Sequence, residues 1–576
     1  MQKIKKYLMY IPIIIIIIGF VYIQVMTDLK LPEYMASIVD KGIAKQDMGV
    51  IKQLGLEMIG IALIGVVATI FASFFSARVA AGISRGLRND VFEKVESFSL
   101  SEFDKFSTAS LITRNTNDIQ QIQMFIFMFL RMIVSAPIMA VGGIIKAIDT
   151  SRQISWILAI AIPVTLVFIL VLILLLVPSF NKVQGFIDRL NRVSRENLTG
   201  IRVIRAFKRE NYEEEKFDEA NKILTRTNLY LNRVMVLLMP AIMLLLNFTQ
   251  LGIIWFGAKA VDSDGLMIGD IMAFINYAMQ VMMSFFMLSM VSIILPRALV
   301  SWKRVWQVLK TQPTINDPED AVSELNDSKQ ETLEFKNVSF SYPNASERVL
   351  NNISFKAKKG EITAIIGSTG AGKSTLINLI PRFYDVSDGE ILINGIDIRK
   401  FKLADLHKKI GYVPQKATLF SGTIESNIKL GLEGATDEEM ELASKISQAD
   451  DFIFEKEEKF QSEIAQGGTN VSGGQKQRLS IARALVRKPE MYIFDDSFSA
   501  LDFKTDRALR DALMPYTKES ITLIVAQRVS TIMKADRIIV LDDGNVVGMG
   551  THKELLNSCE VYNEIATSQL SKEELE

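Results

Sequence analysis

Hydrophobic residues first come in six long blocks and then, past about residue 330, in short runs broken by charged turns. The blocks lie near 7–27, 54–76, 122–146, 155–178, 234–260 and 270–296. Each is long enough to cross roughly 30 Å of hydrocarbon as a helix. Two connections, near 147–154 and 261–268, are short, whereas 77–121 and 179–233 are long and rich in Arg and Lys. With Lys3, Lys5 and Lys6 ahead of the first block, this asymmetry predicts that both termini and the long connections face the cytoplasm of a multi-pass plasma-membrane protein. The first block superficially resembles a secretion signal. It runs on to about Met26 with no small-residue cleavage site, so it reads as a retained span.

Within the long connections apolar residues recur at helical spacing, as at Ile201, Ile204 and Ala206-Phe207. The spans are therefore expected to continue into the cytoplasm, with short transverse helices at their tips near Phe103–Thr113 and Gly200–Phe207. Few polar residues lie inside the blocks. Arg131 has two readings: it faces a water-filled cavity, or it pairs with an acid such as Glu57. Asn247, Gln250, Asn276 and Gln280 read first as helix–helix hydrogen bonders, ahead of cargo contacts. The Met-rich stretch 279–290 suits an adaptable apolar wall or plain packing.

A charged, Asp/Ser/Asn-rich linker at 311–330 ends this region, and from 331 to 576 strand and helix patterns alternate. The expected fold is thus a membrane all-α domain over 1–310, six transmembrane helices with long cytoplasmic extensions, fused to a soluble α/β domain. A chain of 576 residues exceeds one core. Lys+Arg and Asp+Glu both number 65, which gives no electrostatic reason to expect a nucleic-acid partner. Cys559 is the only cysteine, so no intrachain disulfide forms. Ile- and Lys-rich composition points to a low-GC bacterium.

The sharpest chemistry begins at Gly367. Gly367-Ser368-Thr369-Gly370-Ala371-Gly372-Lys373-Ser374, followed by Thr375, is a complete GxxxxGK[ST] phosphate loop. An apolar strand pattern, Ile362–Ile366, precedes it and a helix pattern, Ser374–Ile380, follows, as the motif requires. Glycines let successive backbone N–H groups converge on phosphates, Lys373 reaches the β/γ oxygens, and Ser374 supplies a ligand to Mg²⁺. A P-loop ATPase behind six membrane spans couples ATP to a membrane.

Further motifs follow in order, and with them the chain resembles an ATP-binding cassette (ABC) exporter half-transporter along essentially its full length. The resemblance implies that Tyr342 stacks on adenine, and that Gln415 in Val413-Pro-Gln415 bonds Mg²⁺ and the attacking water. Val471-Ser472-Gly473-Gly474-Gln475 is similar to the signature motif that binds the γ-phosphate of ATP held by a second cassette, with Val in the usual Leu position. Asp495, ending Met491–Asp495, is implied as a Mg²⁺-site acid, and Ser499-Ala500-Leu501-Asp502 as the loop crossing the dimer interface. Glu463 falls where exporters contact the cytoplasmic loops of the membrane domain.

Two positions depart from that pattern. Hydrolytic exporters usually carry Glu after the Mg²⁺-site Asp and His in the switch segment; this chain has Asp496 and Gln527. Its only histidines, His407 and His552, occupy no motif position. Asp is one methylene shorter than Glu, and displacing a water-orienting carboxylate by about 1 Å can cost ~10²-fold in rate. Gln527 hydrogen-bonds but exchanges no proton at neutral pH. Groups that bind are kept while those that hydrolyse are altered. The expected partner is therefore a different half-transporter with Glu and His at these places, to which this chain donates its intact signature. The resemblance implies a hydrophobic small-molecule cargo, as in multidrug-type exporters. Rival readings are a homodimeric exporter of a peptide or lipid, and a non-pumping sensor or channel regulated by ATP.

Overall fold

A computed structural model describes residues 6–262, 266–322, 331–343 and 345–571 of the protein. Lys3 and Lys5, and residues 323–330 of the expected linker, lie outside them. The chain separates into two units. One comprises Met1–Glu96 and Thr108–Thr311, the other Ser97–Ser107 and Gln312–Glu576.

In the first unit, six helices among the described residues are long and apolar enough to cross a membrane, and each expected block falls inside one. They cover Lys6–Ile43, Met48–Glu96, Thr108–Thr150, Ser155–Leu174 within a longer helix, Glu210–Asp262 and Ile268–Lys310. The fourth helix runs unbroken from Ser155 to Ala206, 52 residues. At 1.5 Å per residue that is about 78 Å, far more than the hydrocarbon needs.

This continuity corrects one expectation. No separate transverse helix forms at Gly200–Phe207, because extending an existing helix is easier than nucleating a new one. The chain breaks only after Ala206, where Lys208 turns at φ 51°. The other expected segment is two helices rather than one. Leu100–Phe106 starts at a reciprocal cap between Ser99 and Glu102 and stops at Ser107, φ 55°. Thr108–Thr113 then opens the third long helix. By its packing Leu100–Phe106 belongs with the second unit.

Ile17, Val21, Val25 and Leu29, four residues apart, form one buried stripe of the first helix. They pack into a core with Phe274, Tyr277 and Ala278 of the last helix. The Tyr277 hydroxyl donates to the Leu29 carbonyl at 3.1 Å. Gly142 lets this packing close, since a Cβ there would lie 2.5 Å from Leu29 Cδ1. Arg131 sits in a π-helical turn, Phe129–Ile133, and its Nη1 donates to Gln24 Oε1 at 3.2 Å. It does not pair with Glu57, which accepts from Gln53 one turn away. Gln280 bonds across helices to the Asp28 carbonyl, as its first reading predicted, while Asn276 bonds back to Met272 in its own helix.

The second unit is α/β. Its strands are β1 (Thr332–Phe340), β2 (Leu350–Lys358), β3 (Ile362–Gly367), β4 (Asp388–Ile393), β5 (Ile396–Asp397) and β6 (Ile410–Val413). These are followed by β7 (Gly422–Thr423), β8 (Glu463–Ile464), β9 (Met491–Asp495), β10 (Ile521–Val525), β11 (Arg537–Asp542) and β12 (Asn545–Gly550). A six-stranded sheet has the order β12-β11-β3-β10-β9-β6, parallel except at β12. An antiparallel sheet, β2-β1-β4-β5, stands apart from it.

β9 and β10 are buried at every residue, which explains their unbroken apolar runs. Alternate residues serve two cores. Ala364, Ile366, Tyr492, Phe494 and Ile524 meet the helical side, while Ile365, Ile493, Leu523 and Val525 meet the antiparallel sheet.

Candidate nucleotide site at the strand ends

Sheet register assembles the site. Val525 pairs with both Ile365 and Asp495, so the chain leaves β3, β9 and β10 at one level. Gly367, Asp495-Asp496 and Gln527 thereby meet outside the carboxyl ends of adjacent parallel strands, where α/β sheets bind ligands.

The phosphate loop owes its shape to its glycines. A Cβ on Gly367 would lie 2.1 Å from the Leu541 carbonyl oxygen, and Gly370 and Gly372 adopt φ of 90° and 91°. From Lys373 the chain is helical to Asn378. The Lys373 ammonium donates to the Gly367 and Ser368 carbonyls at 2.9 and 2.7 Å, inside the arc of the loop. Burial lowers its pKa, while Asp496 and Asp495 act in the opposite sense.

Ser374 Oγ donates to Asp495 Oδ1 at 3.1 Å. Burial raises the pKa of Asp495 and Asp496 adds to the shift; the Ser374 hydroxyl and Lys373 oppose it. A hydroxyl and a buried carboxylate side by side are hard oxygen donors of the kind that hold Mg²⁺ together with phosphate oxygens. Among the described residues no cluster of three or more His, Cys, Asp or Glu makes a protein-only metal cage.

Asp496 is the hub of the remaining contacts. Its Oδ2 accepts from Gln415 Nε2 at 3.2 Å and from Gln527 Nε2 at 2.9 Å. Its backbone is left-handed, φ 45°, and its N–H is held by the Val525 carbonyl at 2.9 Å. Tyr342 places its hydroxyl 2.9 Å from Thr375 Oγ1, with its ring edge-on to Phe340 and Tyr384. Thr375 thus contacts an aromatic side chain at the flank of the loop.

Tyr342, Gly367–Thr375, Gln415, Asp495, Asp496 and Gln527 are brought together, but the signature is not among them. Ser472 caps its own helix, Gly473–Leu485, by a reciprocal bond pair with Gln475. That helix packs on β6, the edge strand three places from β3. Asp502 likewise accepts from Thr505 N at 3.0 Å and caps Phe503–Tyr516. These two segments adjoin each other, since a Cβ on Gly474 would lie 3.3 Å from the Ala500 carbonyl. Glu463 is exposed in β8.

Three contacts were not foreseen from sequence. Tyr384 donates to Asp104 of the Leu100–Phe106 helix at 2.9 Å, the Tyr342–Thr375 bond is new, and Gln569 reaches the switch segment. None has a motif; only the fold brings residues 280 positions apart into contact.

Residues 14–285 match the ABC transporter transmembrane region family and residues 350–499 match the ABC transporter family. A Mycobacterium tuberculosis ABC transporter ATP-binding protein is 40% identical over 95% of this chain and 94% of its own length. The chain belongs to the ABC transporter family. A Bacillus subtilis ABC transporter ATP-binding protein, YfiB, is 38% identical over 96% of both chains. A solved bacterial Atm1-family ABC exporter with ATP bound superposes with a TM-score of 0.79 at 26% identity, covering 96% of this chain and 98% of that one. The protein is an ABC exporter with a membrane domain fused to an ATP-binding domain, and ATP hydrolysis coupled to transport is its activity.

Proposed function

We propose that this ABC exporter works as one half of a heterodimer, holding ATP in a degenerate site of its own and lending its signature to the partner's hydrolytic site. The observation that carries this reading is the carboxylate of Asp496, bonded to Gln415 and Gln527 where hydrolysis needs a longer acid and a histidine. MgATP, when bound, supplies the phosphoryl group and the metal charge that drive the cycle. Lys373 neutralises phosphate charge, and Ser374 with Asp495 and Gln415 supplies oxygen ligands for Mg²⁺. Asp496 stops one methylene short of the place from which a glutamate orients water. Gln527 donates a hydrogen bond but shuttles no proton.

Ser472 and Gly473 stand exposed at the start of the signature helix, three strands from the phosphate loop, available to complete a site across an interface. In the proposed cycle ATP closes the two cassettes, the membrane domain turns from inward- to outward-facing, and hydrolysis on the partner's loop resets it. The cargo proposed is an amphipathic or lipophilic compound, exported across the plasma membrane of a bacterium with both termini cytoplasmic.

The full-length chain, purified alone and assayed for MgATP turnover, tests the pairing. Turnover is expected to be slow alone and brisk with a half-transporter carrying Glu and His at the two altered positions. Brisk hydrolysis by the chain alone favours the homodimer and overturns the reading.

A further inference from the structure

The helix Glu560–Gln569 is anchored by Tyr562 and Ala566, both fully buried in the helical-side core. The Tyr562 hydroxyl lies 2.6 Å from His552 Nδ1, and burial pushes the phenol up to about 12, which keeps it protonated. The helix is thus fixed on the domain. Its last residue, Gln569, reaches onto the switch segment with both ends of its amide. Nε2 donates to the Gln527 carbonyl at 2.8 Å, and Oε1 accepts from Val529 N at 2.8 Å. These bonds flank Arg528, which is extended (φ −103°, ψ 128°) and precedes the short helix Val529–Ile532.

A primary amide is the side chain that offers a donor and an acceptor this far apart without charge. Here it fixes the two backbone groups on either side of Arg528, the Gln527 carbonyl and the Val529 N–H, where the chain passes from β10 into the short helix. The residue whose carbonyl it holds is the one whose side chain bonds Asp496 at 2.9 Å. We propose that Gln569 is the positioning residue of this site, holding the switch backbone so that the Gln527 amide stays on Asp496 and on the nucleotide beside it. The inference rests on Gln527 and Asp496 belonging to this chain's own nucleotide site, and is independent of whether the partner is like or unlike.

The test is a double-mutant cycle on the full-length chain in nanodiscs, read by the release rate of a fluorescent non-hydrolysable ATP analogue, mant-AMPPNP. Gln569→Met keeps the bulk and removes both bonds; Gln569→Glu keeps the acceptor for Val529 and removes the donor to Gln527. Each is expected to speed release about fivefold, with a melting temperature close to wild type. In a Gln527→Ala background neither is expected to change release further, because the side chain being positioned is gone. If either substitution acts equally in both backgrounds, Gln569 is a plain stabiliser of the domain and the proposal falls. No change in release from the wild-type background overturns it too. If Gln569→Met does not fold, Gln569→Glu carries the same comparison. Brisk turnover by the chain alone would defeat the heterodimer and leave this cycle intact.

Discussion

Gln527 Nε2 donates to Asp496 Oδ2 across 2.9 Å, tying the second residue past β10 to the first residue past β9. The contact closes because the parallel register sets Val525 level with Asp495 and because the Asp496 N–H is already held by the Val525 carbonyl. A short acid and an amide thus satisfy each other beside the phosphate loop, the contact on which the proposed degeneracy of this site rests. Several consequences can be measured.

On the proposed reading, Glu and His at the two altered positions should raise turnover at this site. Asp496→Glu together with Gln527→His is expected to raise phosphate release at this site, by ~10-fold or more if about 1 Å of carboxylate reach is what is missing. The measurement is single-turnover hydrolysis in a pair whose other site is inactivated. An unchanged rate would mean that neither position limits the chemistry.

Asp495 makes a prediction about pH. Burial raises its pKa from the ordinary value of a free aspartate, so the folded state holds this proton more tightly than the unfolded chain. Its contribution to stability therefore falls as pH rises from about 4 through the raised value, and stays low above it. Asp495→Asn, which keeps an acceptor for Ser374, should raise the melting temperature of nucleotide-free protein at neutral pH. The gain should shrink toward pH 4, and the extra stabilisation by MgATP should be lost. A lower melting temperature at neutral pH would contradict the sign.

Tyr384 and Asp104 probe how the Leu100–Phe106 helix is held within the second unit. Burial and the neighbouring carboxylate hold the phenol well above its ordinary pKa, so it donates at any physiological pH. Tyr384→Phe removes one partly buried hydrogen bond, roughly 1 kcal/mol. ATP binding should persist while transport per ATP falls severalfold. Equal losses in both would place the effect on Tyr342, whose ring lies 5.3 Å from that of Tyr384.

Two loop glycines should behave differently. Gly367→Ala drives a methyl to 2.1 Å from the Leu541 carbonyl, a backbone clash that no rotamer relieves. ATP binding should be lost and the melting temperature should drop by several degrees. Gly370→Ala meets open space and is strained only by its φ of 90°, a cost of about 1–2 kcal/mol. Thermal unfolding and nucleotide binding of the two variants give the comparison; equal damage would show that space around Gly367 is not the constraint.

Local pattern made the six spans, the α/β unit and the phosphate loop legible, because helix length, strand alternation and glycine turns are written in neighbouring residues. The same pattern misplaced the tips. Ile201–Phe207 has helical spacing whether it is a separate helix or the end of a long one, and only continuity through Gly200 decided for the latter. Arg131 announced itself by its charge, yet Gln24, 107 positions away, became its partner instead of Glu57. Gln569 carried no signal, since an exposed glutamine near a C-terminus is ordinary until the fold sets it against Gln527.

The amino-acid order alone determined which groups are present: a complete phosphate loop, a signature-like segment, and Asp496 and Gln527 at the two positions that depart from the usual exporter pattern. What the tertiary structure decided is which of these meet. Parallel register aligns the ends of β3, β9 and β10, whereas the signature helix packs against an edge strand three places away. Side-chain chemistry is a property of single residues, but their juxtaposition depends on strand order and helix packing, which join residues far apart along the chain.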